Sequence, residues 1–60
     1  MDNADRKLVL VVEDDADQSN AMLKALQESG FSPMCANGVR EALFRLKNQK
    51  FSLVVLDLSL

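Results

Sequence analysis

The sequence predicts an α/β fold: a parallel three-stranded sheet with strand order 2-1-3, built from consecutive β-α-β-α-β elements. Two uninterrupted runs of branched aliphatic residues, at positions 8–12 and 53–56, are typical of parallel strands that are buried on both faces. Between these runs lie two stretches with apolar side chains at helical spacing and a short strand that contains Pro33. Buried strands that alternate with helices indicate a parallel sheet with right-handed crossovers.

The first strand is the run at residues 8–12, which leads directly into three acids, Glu13, Asp14 and Asp15. An edge or half-exposed strand would alternate apolar and polar residues, so this continuous run indicates a strand inside the sheet. Because the acids begin where the apolar run ends, they follow the carboxyl end of that strand. In open α/β sheets this end is where ligands bind.

A first helix is predicted for residues 16–29, with Gly30 as the residue that ends it. Either Asp15 or Asp17 is suited to cap its start, where a carboxylate accepts hydrogen bonds from exposed amides and meets the positive end of the helix dipole. The apolar stripe of this helix comprises Ser19, Met22, Leu23, Ala25 and Leu26.

A short second strand is predicted for residues 31–36. Pro33 lacks the amide that a central strand needs for its hydrogen bonds, which puts this strand at an edge of the sheet. The first strand is then central, with a neighbour on each side. Because the two crossovers leave it in opposite directions, the two helices should cover opposite faces of the sheet.

Asn37-Gly38 fits two interpretations, a hairpin turn or a helix start with Asn37 as the N-cap residue. The apolar residues that follow favour the helix because they recur at helical spacing, and we predict it for residues 38–47. That stripe comprises Val39, Ala42, Leu43 and Leu46. Glu41 and Arg45 form an i,i+4 pair of opposite charge on the outward side of the helix.

The third strand, predicted for residues 51–58, repeats the apolar run of the first strand and also ends in an acid, Asp57. In the order 2-1-3 the first and third strands are neighbours, about 4.8 Å apart. Asp14 and Asp57 would then face one crevice at the switch point of the sheet, with Glu13 beside them. Clustered carboxylates repel one another, so such a site raises pKa values or holds a cation.

Oxygen ligands in a site that is partly open to water suit magnesium, which retains several waters and takes one or two carboxylates. An ion in this position would neutralise an incoming phosphoryl group. An unprotonated aspartate beside it is then a plausible nucleophile that forms an aspartyl phosphate. The spacing alone leaves open which of the acids attacks.

Three segments together resemble the first half of a response-regulator receiver domain: LVLVVEDD at 8–15, Asn37-Gly38 followed by EAL at 41–43, and FSLVVLDLSL at 51–60. The resemblance covers residues 7–60 and implies a two-component signalling protein, similar to chemotaxis regulators, with a flavodoxin-like doubly wound fold. The domain organisation would be a polar lead-in at residues 1–7 and the amino-terminal half of a receiver at 8–60.

By this resemblance Asp57 matches the aspartate that accepts a phosphoryl group from a histidine kinase or a phosphotransfer protein. Asp14 matches the residue that binds magnesium directly, and Glu13, where aspartate is commoner, matches an acid that acts through water. The backbone carbonyl of Ser59 matches the third protein ligand. The implied metal ligands are therefore Glu13, Asp14, Asp57 and Ser59, with Asp57 as the reactive residue.

In the family, a hydroxyl residue after the fourth strand and a lysine after the fifth contact the phosphoryl group, and these 60 residues contain no counterpart of either. We therefore expect the chain as given to lack the switch and output functions. If the molecule consists only of these residues, the third strand is an unpaired apolar edge. We then expect either a homo-oligomer, a two-fold dimer that pairs third strands, or a chain that does not fold stably. A structural role, in which the chain self-associates through its third strand, is the main alternative to the phosphoacceptor function.

A phosphatase of the haloacid dehalogenase type is a weaker alternative, because it also uses a strand-end aspartate and magnesium. Those enzymes need a second acid two residues after the nucleophile, and here that position is Ser59. Independent catalytic turnover is therefore not expected.

Composition argues against several other classes of protein. A formal net charge of −2 offers no strongly basic surface for nucleic acid. No apolar run approaches the roughly 20 residues needed to cross a bilayer, so no membrane partner is expected. The single Cys35 cannot form an internal disulfide and suits a reducing, cytoplasmic location.

Overall fold

The computed structural model describes residues 6–56 and confirms the predicted α/β fold. The elements in chain order are β1 (Leu8–Val12), α1 (Ala16–Glu28), β2 (Ser32–Ala36), α2 (Val39–Asn48) and β3 (Leu53–Leu56). The three strands form one parallel sheet in the order β2-β1-β3, as predicted. No helix within residues 6–56 combines the length and the apolar character that a membrane span requires.

β1 is the central strand, and its side chains are almost fully buried. Val9, Leu10 and Val11 are 0% exposed, and Val12 is 2% exposed. This strand pairs with β2 on one side and with β3 on the other, so both of its edges are covered. Burial on both faces explains the uninterrupted aliphatic run, because only Leu8, at the start of the strand, is partly exposed.

The two helices cover opposite faces of β1. On one face, Leu10 and Val12 form a core cluster with Ala42 of α2. Successive side chains of a strand point to opposite faces, so Val9 and Val11 face the other way. There α1 packs against β1 and β2.

α1 ends in a Schellman motif. The amide of Gly30 donates to the carbonyl of Gln27 at 3.1 Å, and the amide of Phe31 donates to the carbonyl of Leu26 at 3.0 Å. Gly30 has a φ of 94°, which L side chains rarely adopt, and this confirms its predicted role at the helix end. Because the Phe31 amide completes the helix end, β2 begins at Ser32, one residue later than predicted.

The start of α2 differs from the prediction. Gly38, not Asn37, is the N-cap residue, and it has no side chain with which to cap the helix. Instead, the amide of Asn37 donates to Glu41 Oε1 at 2.9 Å. At the other end the helix extends to Asn48, whose side-chain amide donates to the carbonyl of Phe44 at 2.7 Å.

β3 is shorter than predicted in the part that the structure describes. It begins at Leu53, because Phe51 packs against the core cluster from the preceding loop and the amide of Ser52 donates to the carbonyl of Leu8 at 2.8 Å. The last two residues of the predicted strand, 57 and 58, lie outside the described residues.

The apolar residues of α2 and β3 are more exposed than the sequence predicts. On α2, Val39 is 60% and Leu43 is 58% exposed, and Ala42 is the buried member of the predicted stripe. On β3, Leu53 is 50% and Leu56 is 51% exposed, although the run is typical of a buried strand. The reason is that within residues 6–56 β3 pairs only with β1, while the helices pack mainly against β1 and β2.

Candidate functional site

The carboxyl ends of β1 and β3 lie side by side. Val12, the last residue of β1, is the register partner of Leu56, the last residue of β3. In the sequence, Glu13 follows the first of these residues and Asp57 follows the second. Asp57 and Ser59, predicted as acceptor and as metal ligand, lie outside the residues that the structure describes.

Glu13 is buried at the end of β1, with 3% of its surface exposed. Its amide donates to the carbonyl of Ala36 at 3.0 Å, which continues the pairing of β1 with β2. Its Oε1 accepts a hydrogen bond from the amide of Asp15 at 3.1 Å. A carboxylate loses hydration in such a position, and this amide is one of the groups that offset the loss. The Glu13 side chain is therefore held against the turn that leads into α1.

Asp15 is the N-cap residue of α1, which decides between the two predicted candidates. Its Oδ1 accepts hydrogen bonds from the amides of Asp17 at 2.9 Å and Gln18 at 3.1 Å. Its carbonyl accepts from the amide of Ser19 at 2.9 Å, which begins the helical hydrogen bonds. Asp17 lies in the first turn, where its charge meets the positive end of the helix dipole.

Asp14 lies between these two hydrogen-bonded residues, and its side chain is exposed. It and the buried Glu13 follow Val12, whose register partner is Leu56 at the end of β3. Carboxylates are the hard anionic ligands that Mg²⁺ prefers. In its donor chemistry, the described part of the site therefore fits the predicted ion.

The residues in the range 6–56 do not complete a metal site by themselves. Among them, no three His, Cys, Asp or Glu side chains are grouped so that they could hold a metal ion. Glu13 and Asp14 are two of the predicted ligands, and the other two, Asp57 and Ser59, come after the last described residue. A complete site would require ligands that follow β3.

The sequence interpretation missed the role of Glu41. The side chains of Arg45 and Glu41 were predicted to point outward, but they are only 30% and 37% exposed. Arg45 Nη2 lies 3.2 Å from Glu41 Oε2. The hydrogen bond from the Asn37 amide lowers the pKa of Glu41; partial burial opposes this, and the hydrogen bond and charge of Arg45 lower the pKa further. Glu41 is the third residue of α2, the position from which a capping-box glutamate reaches the N-cap amide, but here it accepts from the amide one residue before the N-cap Gly38.

Comparisons of the chain with protein-family models, curated proteins and solved structures gave no match. A function can therefore only be proposed, from the resemblance of the sequence to receiver domains and from two features of the chain itself. These are the order of the strands and the acids that follow β1 and β3.

Proposed function

We propose that this chain is the phosphoacceptor module of a two-component phosphorelay in the cytoplasm. Asp57 would take a phosphoryl group from a histidine kinase or a phosphotransfer protein, with Mg²⁺ as the cofactor. One observation carries the proposal: β1 and β3 are parallel neighbours whose last residues, Val12 and Leu56, are register partners. An acid follows each strand directly, so the sheet order supports a shared acidic site.

In the proposed reaction, an oxygen of the Asp57 carboxylate attacks the phosphorus of a phosphohistidine. The O–P bond forms as the P–N bond breaks, the electron pair stays on the imidazole nitrogen, and that nitrogen takes up a proton. The products are an acyl phosphate on Asp57 and a neutral histidine on the donor. When bound, Mg²⁺ would supply positive charge that offsets the negative charge of the phosphoryl oxygens.

By the resemblance to receiver domains, three other residues would hold the cation. Asp14, exposed after β1, would bind it directly. Glu13, which is buried and accepts a hydrogen bond from the Asp15 amide, would act through a bound water. The backbone carbonyl of Ser59 would be the third protein ligand. A site of this kind suits a domain that takes part in its own phosphorylation without turning over a substrate.

Labelling with acetyl phosphate tests this function. We expect mass spectrometry to detect one added phosphoryl group in the presence of Mg²⁺ and none after chelation. Asp57→Ala should abolish the labelling. Asp17→Ala is the matched control, because it removes an aspartate of the α1 first turn that is no part of the proposed site, and it should be labelled like the wild type.

Full labelling of Asp57→Ala would contradict the assignment of the acceptor. Release of inorganic phosphate over many turnovers would contradict it in a different way, because it would indicate a phosphatase.

A second candidate function, self-association, is favoured by the exposed apolar residues of α2 and β3. An apolar groove of about 170 Å³ lies between these elements. It is lined by Val12, Val39, Ala42, Leu43, Leu46, Val54 and Leu56. The edge of β3 that faces away from β1 has no partner strand among residues 6–56. Two copies that pair their β3 strands around a two-fold axis would satisfy this edge.

Sedimentation at high micromolar concentration tests the second candidate. We expect an isolated chain of these 60 residues to sediment as a dimer, and its Val54→Lys variant, which puts a charge at a partly exposed position of β3, to sediment as a monomer. Gln27→Lys adds the same charge at an exposed position of α1 and should leave the dimer intact. A well-folded wild-type monomer would contradict the proposal.

A further inference from the structure

We infer that Asn37 is a site of covalent modification, at which its side-chain amide is converted into a carboxylate by spontaneous deamidation. The sequence meets the first requirement, because the next residue is Gly38, which has no side chain to shield its backbone nitrogen. The folded chain meets the others, because it leaves the Gly38 amide without a hydrogen bond and the Asn37 side chain accessible. This chemistry is independent of the proposed function.

In this reaction the Gly38 amide first loses its proton to hydroxide. Its nitrogen then attacks the side-chain carbonyl carbon of Asn37, and a new C–N bond forms. The bond from that carbon to the side-chain nitrogen breaks, and ammonia leaves with a proton from water, which regenerates the hydroxide. Water opens the resulting succinimide ring at either of its carbonyl groups, so position 37 becomes aspartate or isoaspartate. Water is consumed and ammonia released in equal amounts.

The attacking nitrogen is free in the folded chain. The backbone amide of Gly38 makes no hydrogen bond with any residue in the range 6–56. It is the N-cap amide of α2, and such amides have no partner within the helix. A capping-box glutamate would accept from it, but Glu41 accepts from the Asn37 amide instead. An amide with no hydrogen bond to lose is deprotonated at lower cost.

The attacked group is accessible as well. Asn37 is exposed, and within the described part of the chain its side-chain amide makes no hydrogen bond, so it can rotate toward the Gly38 nitrogen. Nothing lies within 4 Å of a Cβ added to Gly38. Both residues line an open cavity of about 620 Å³ at the start of α2. The surroundings therefore leave room for the succinimide ring and for water.

The other asparagines that the structure describes, Asn20 and Asn48, lack these features. The amide that follows Asn48 belongs to Gln49 and donates to the carbonyl of Arg45 at 2.9 Å. The Asn48 side chain also donates to a carbonyl one turn earlier, at 2.7 Å. Asn20 lies inside α1, where the amide that follows it takes part in the helical hydrogen bonds. The fold therefore protects these two side chains and leaves position 37 reactive.

The modification would change the start of α2. The new carboxylate would lie close to that of Glu41, whose Oε1 accepts from the Asn37 amide at 2.9 Å, and like charges at this spacing repel. Isoaspartate would in addition lengthen the main chain between β2 and α2 by a methylene group. Either product would therefore weaken the contact between Glu41 and the residue before the helix.

The test is to incubate the full chain and to follow each asparagine by peptide mapping with mass spectrometry. We expect conversion of amide to acid at Asn37 first, as both aspartate and isoaspartate, and faster as the pH is raised. Gly38→Ala adds a methyl group beside the attacking nitrogen at an extended backbone position. It should slow the reaction about tenfold, which corresponds to about 1.4 kcal/mol in activation free energy.

Gln49→Gly is the matched control, because it places the same dipeptide after the other end of α2. The backbone there is extended and tolerates glycine, but its amide donates to the carbonyl of Arg45. Deamidation of Asn48 in this variant should therefore remain at least about tenfold slower than that of Asn37, a difference of about 1.4 kcal/mol.

A comparison of the folded chain with the chain in urea separates the effect of the fold from that of the dipeptide. The rate at Asn37 should agree within about twofold between the two states, because the fold gives this residue no protection. Asn20 and Asn48 should react faster in urea, where their helical hydrogen bonds are lost.

Three results would overturn the inference. The first is a rate at Asn37 that is more than about twofold slower in the folded chain than in urea, since the start of α2 would then protect it. The second is an Asn48 that reacts as fast in the folded wild type as in urea. The third is a Gln49→Gly variant in which Asn48 reacts as fast as Asn37, because the dipeptide alone would then set the rate. The first two use the wild type, so they decide the question even if a variant fails to fold.

Discussion

The two helices that connect the strands of this sheet differ in how completely their ends are capped and their apolar side chains are buried. α1 has a capping carboxylate from Asp15 at its start and a Schellman motif around Gly30 at its end. α2 begins at Gly38, which has no side chain to cap the helix, and leaves Val39 and Leu43 largely exposed. The β1–α1 connection is also the one that carries the acids Glu13, Asp14 and Asp15.

This difference shows which parts of the fold depend only on neighbouring sequence. The bonds around α1 join residues that are two to five positions apart, so they form as the helix forms. The apolar side chains of α2 and β3 require a covering surface, and residues 6–56 supply it only for Ala42 and, in part, for Val55. The hydrogen bonding at the acidic end of β1 and the exposure of α2 and β3 are therefore separate properties of the chain.

The largest contrast should appear between two leucines on the α2 side of the sheet. Leu10 is fully buried in the core cluster, and Leu10→Ala should lower the free energy of unfolding by about 2–5 kcal/mol through lost burial and a cavity. Leu43 is 58% exposed, and Leu43→Ala should change the free energy of unfolding by no more than about 0.5 kcal/mol. Urea unfolding with an unchanged slope measures both values.

If Leu10→Ala and Leu43→Ala lowered the free energy of unfolding by the same amount, the predicted contrast would be wrong. It would mean that Leu43 is covered in solution, either by a second copy of the chain or by another part of the molecule. Repeating the Leu43→Ala measurement over a range of protein concentrations would separate these two cases, because only self-association depends on concentration.

The two glycines that flank β2 should respond in opposite directions, and Gly30 has the larger expected effect. Gly30→Ala should lower the free energy of unfolding by about 1–2 kcal/mol, because a side chain at a φ of 94° is strained. The surrounding space is open, with no atom within 4 Å of an added Cβ, so a clash would not explain the loss. An unchanged urea midpoint would show that the helix end can re-form without a positive φ.

Gly38→Ser should stabilise the chain by about 0.5–1 kcal/mol, since a serine can cap α2 and reduces the freedom of the unfolded chain. The backbone at Gly38 is extended, with φ −178°, and nothing lies within 4 Å of an added Cβ. Gly38→Ala is the matched control, because it adds the Cβ without the hydroxyl. A serine variant no more stable than the alanine variant would show that α2 gains nothing from a side-chain cap.

The sequence was sufficient for the strand order and for the position of β1, because an aliphatic run and one proline specify which strand is central and which is at the edge. It predicted Asn37 as the N-cap of α2, but Gly38 holds that position; both residue types occur at N-caps, and helical spacing does not distinguish them. Periodicity also identified the residues that share the inner face of α2, but it carries no information about whether anything covers that face.

The candidate site could be predicted to a similar extent. Sequence alone identified the acids after β1, and the register of Val12 with Leu56 is what that prediction requires. It did not reveal that Glu13 is buried against the Asp15 amide, because that contact depends on the conformation of the turn. The roles of Asp57 and Ser59 stay predictions, because both lie outside residues 6–56.

The smallest effect that we expect is a pH dependence on the α2 side. The hydrogen bond from the Asn37 amide lowers the pKa of Glu41 below its ordinary value of 4.5. Partial burial opposes this effect, and Arg45 adds to it. A carboxylate whose pKa is lower in the folded state stabilises the fold above the unfolded pKa, and this stabilisation is lost as the pH falls through the folded pKa. The difference in unfolding free energy between the wild type and Glu41→Gln should therefore shrink as the pH falls below about 4.5.

A second variant identifies which partner of Glu41 causes this pH dependence. Arg45→Met removes the charge but keeps an aliphatic side chain, and it leaves the 2.9 Å hydrogen bond from the Asn37 amide in place. Because that backbone bond is the largest cause of the lowered pKa, most of the pH dependence should remain in the Arg45→Met background. If the pH dependence disappeared in the Arg45→Met background, Glu41 would stabilise the fold through its ion pair with Arg45 and not through the backbone contact at the start of α2.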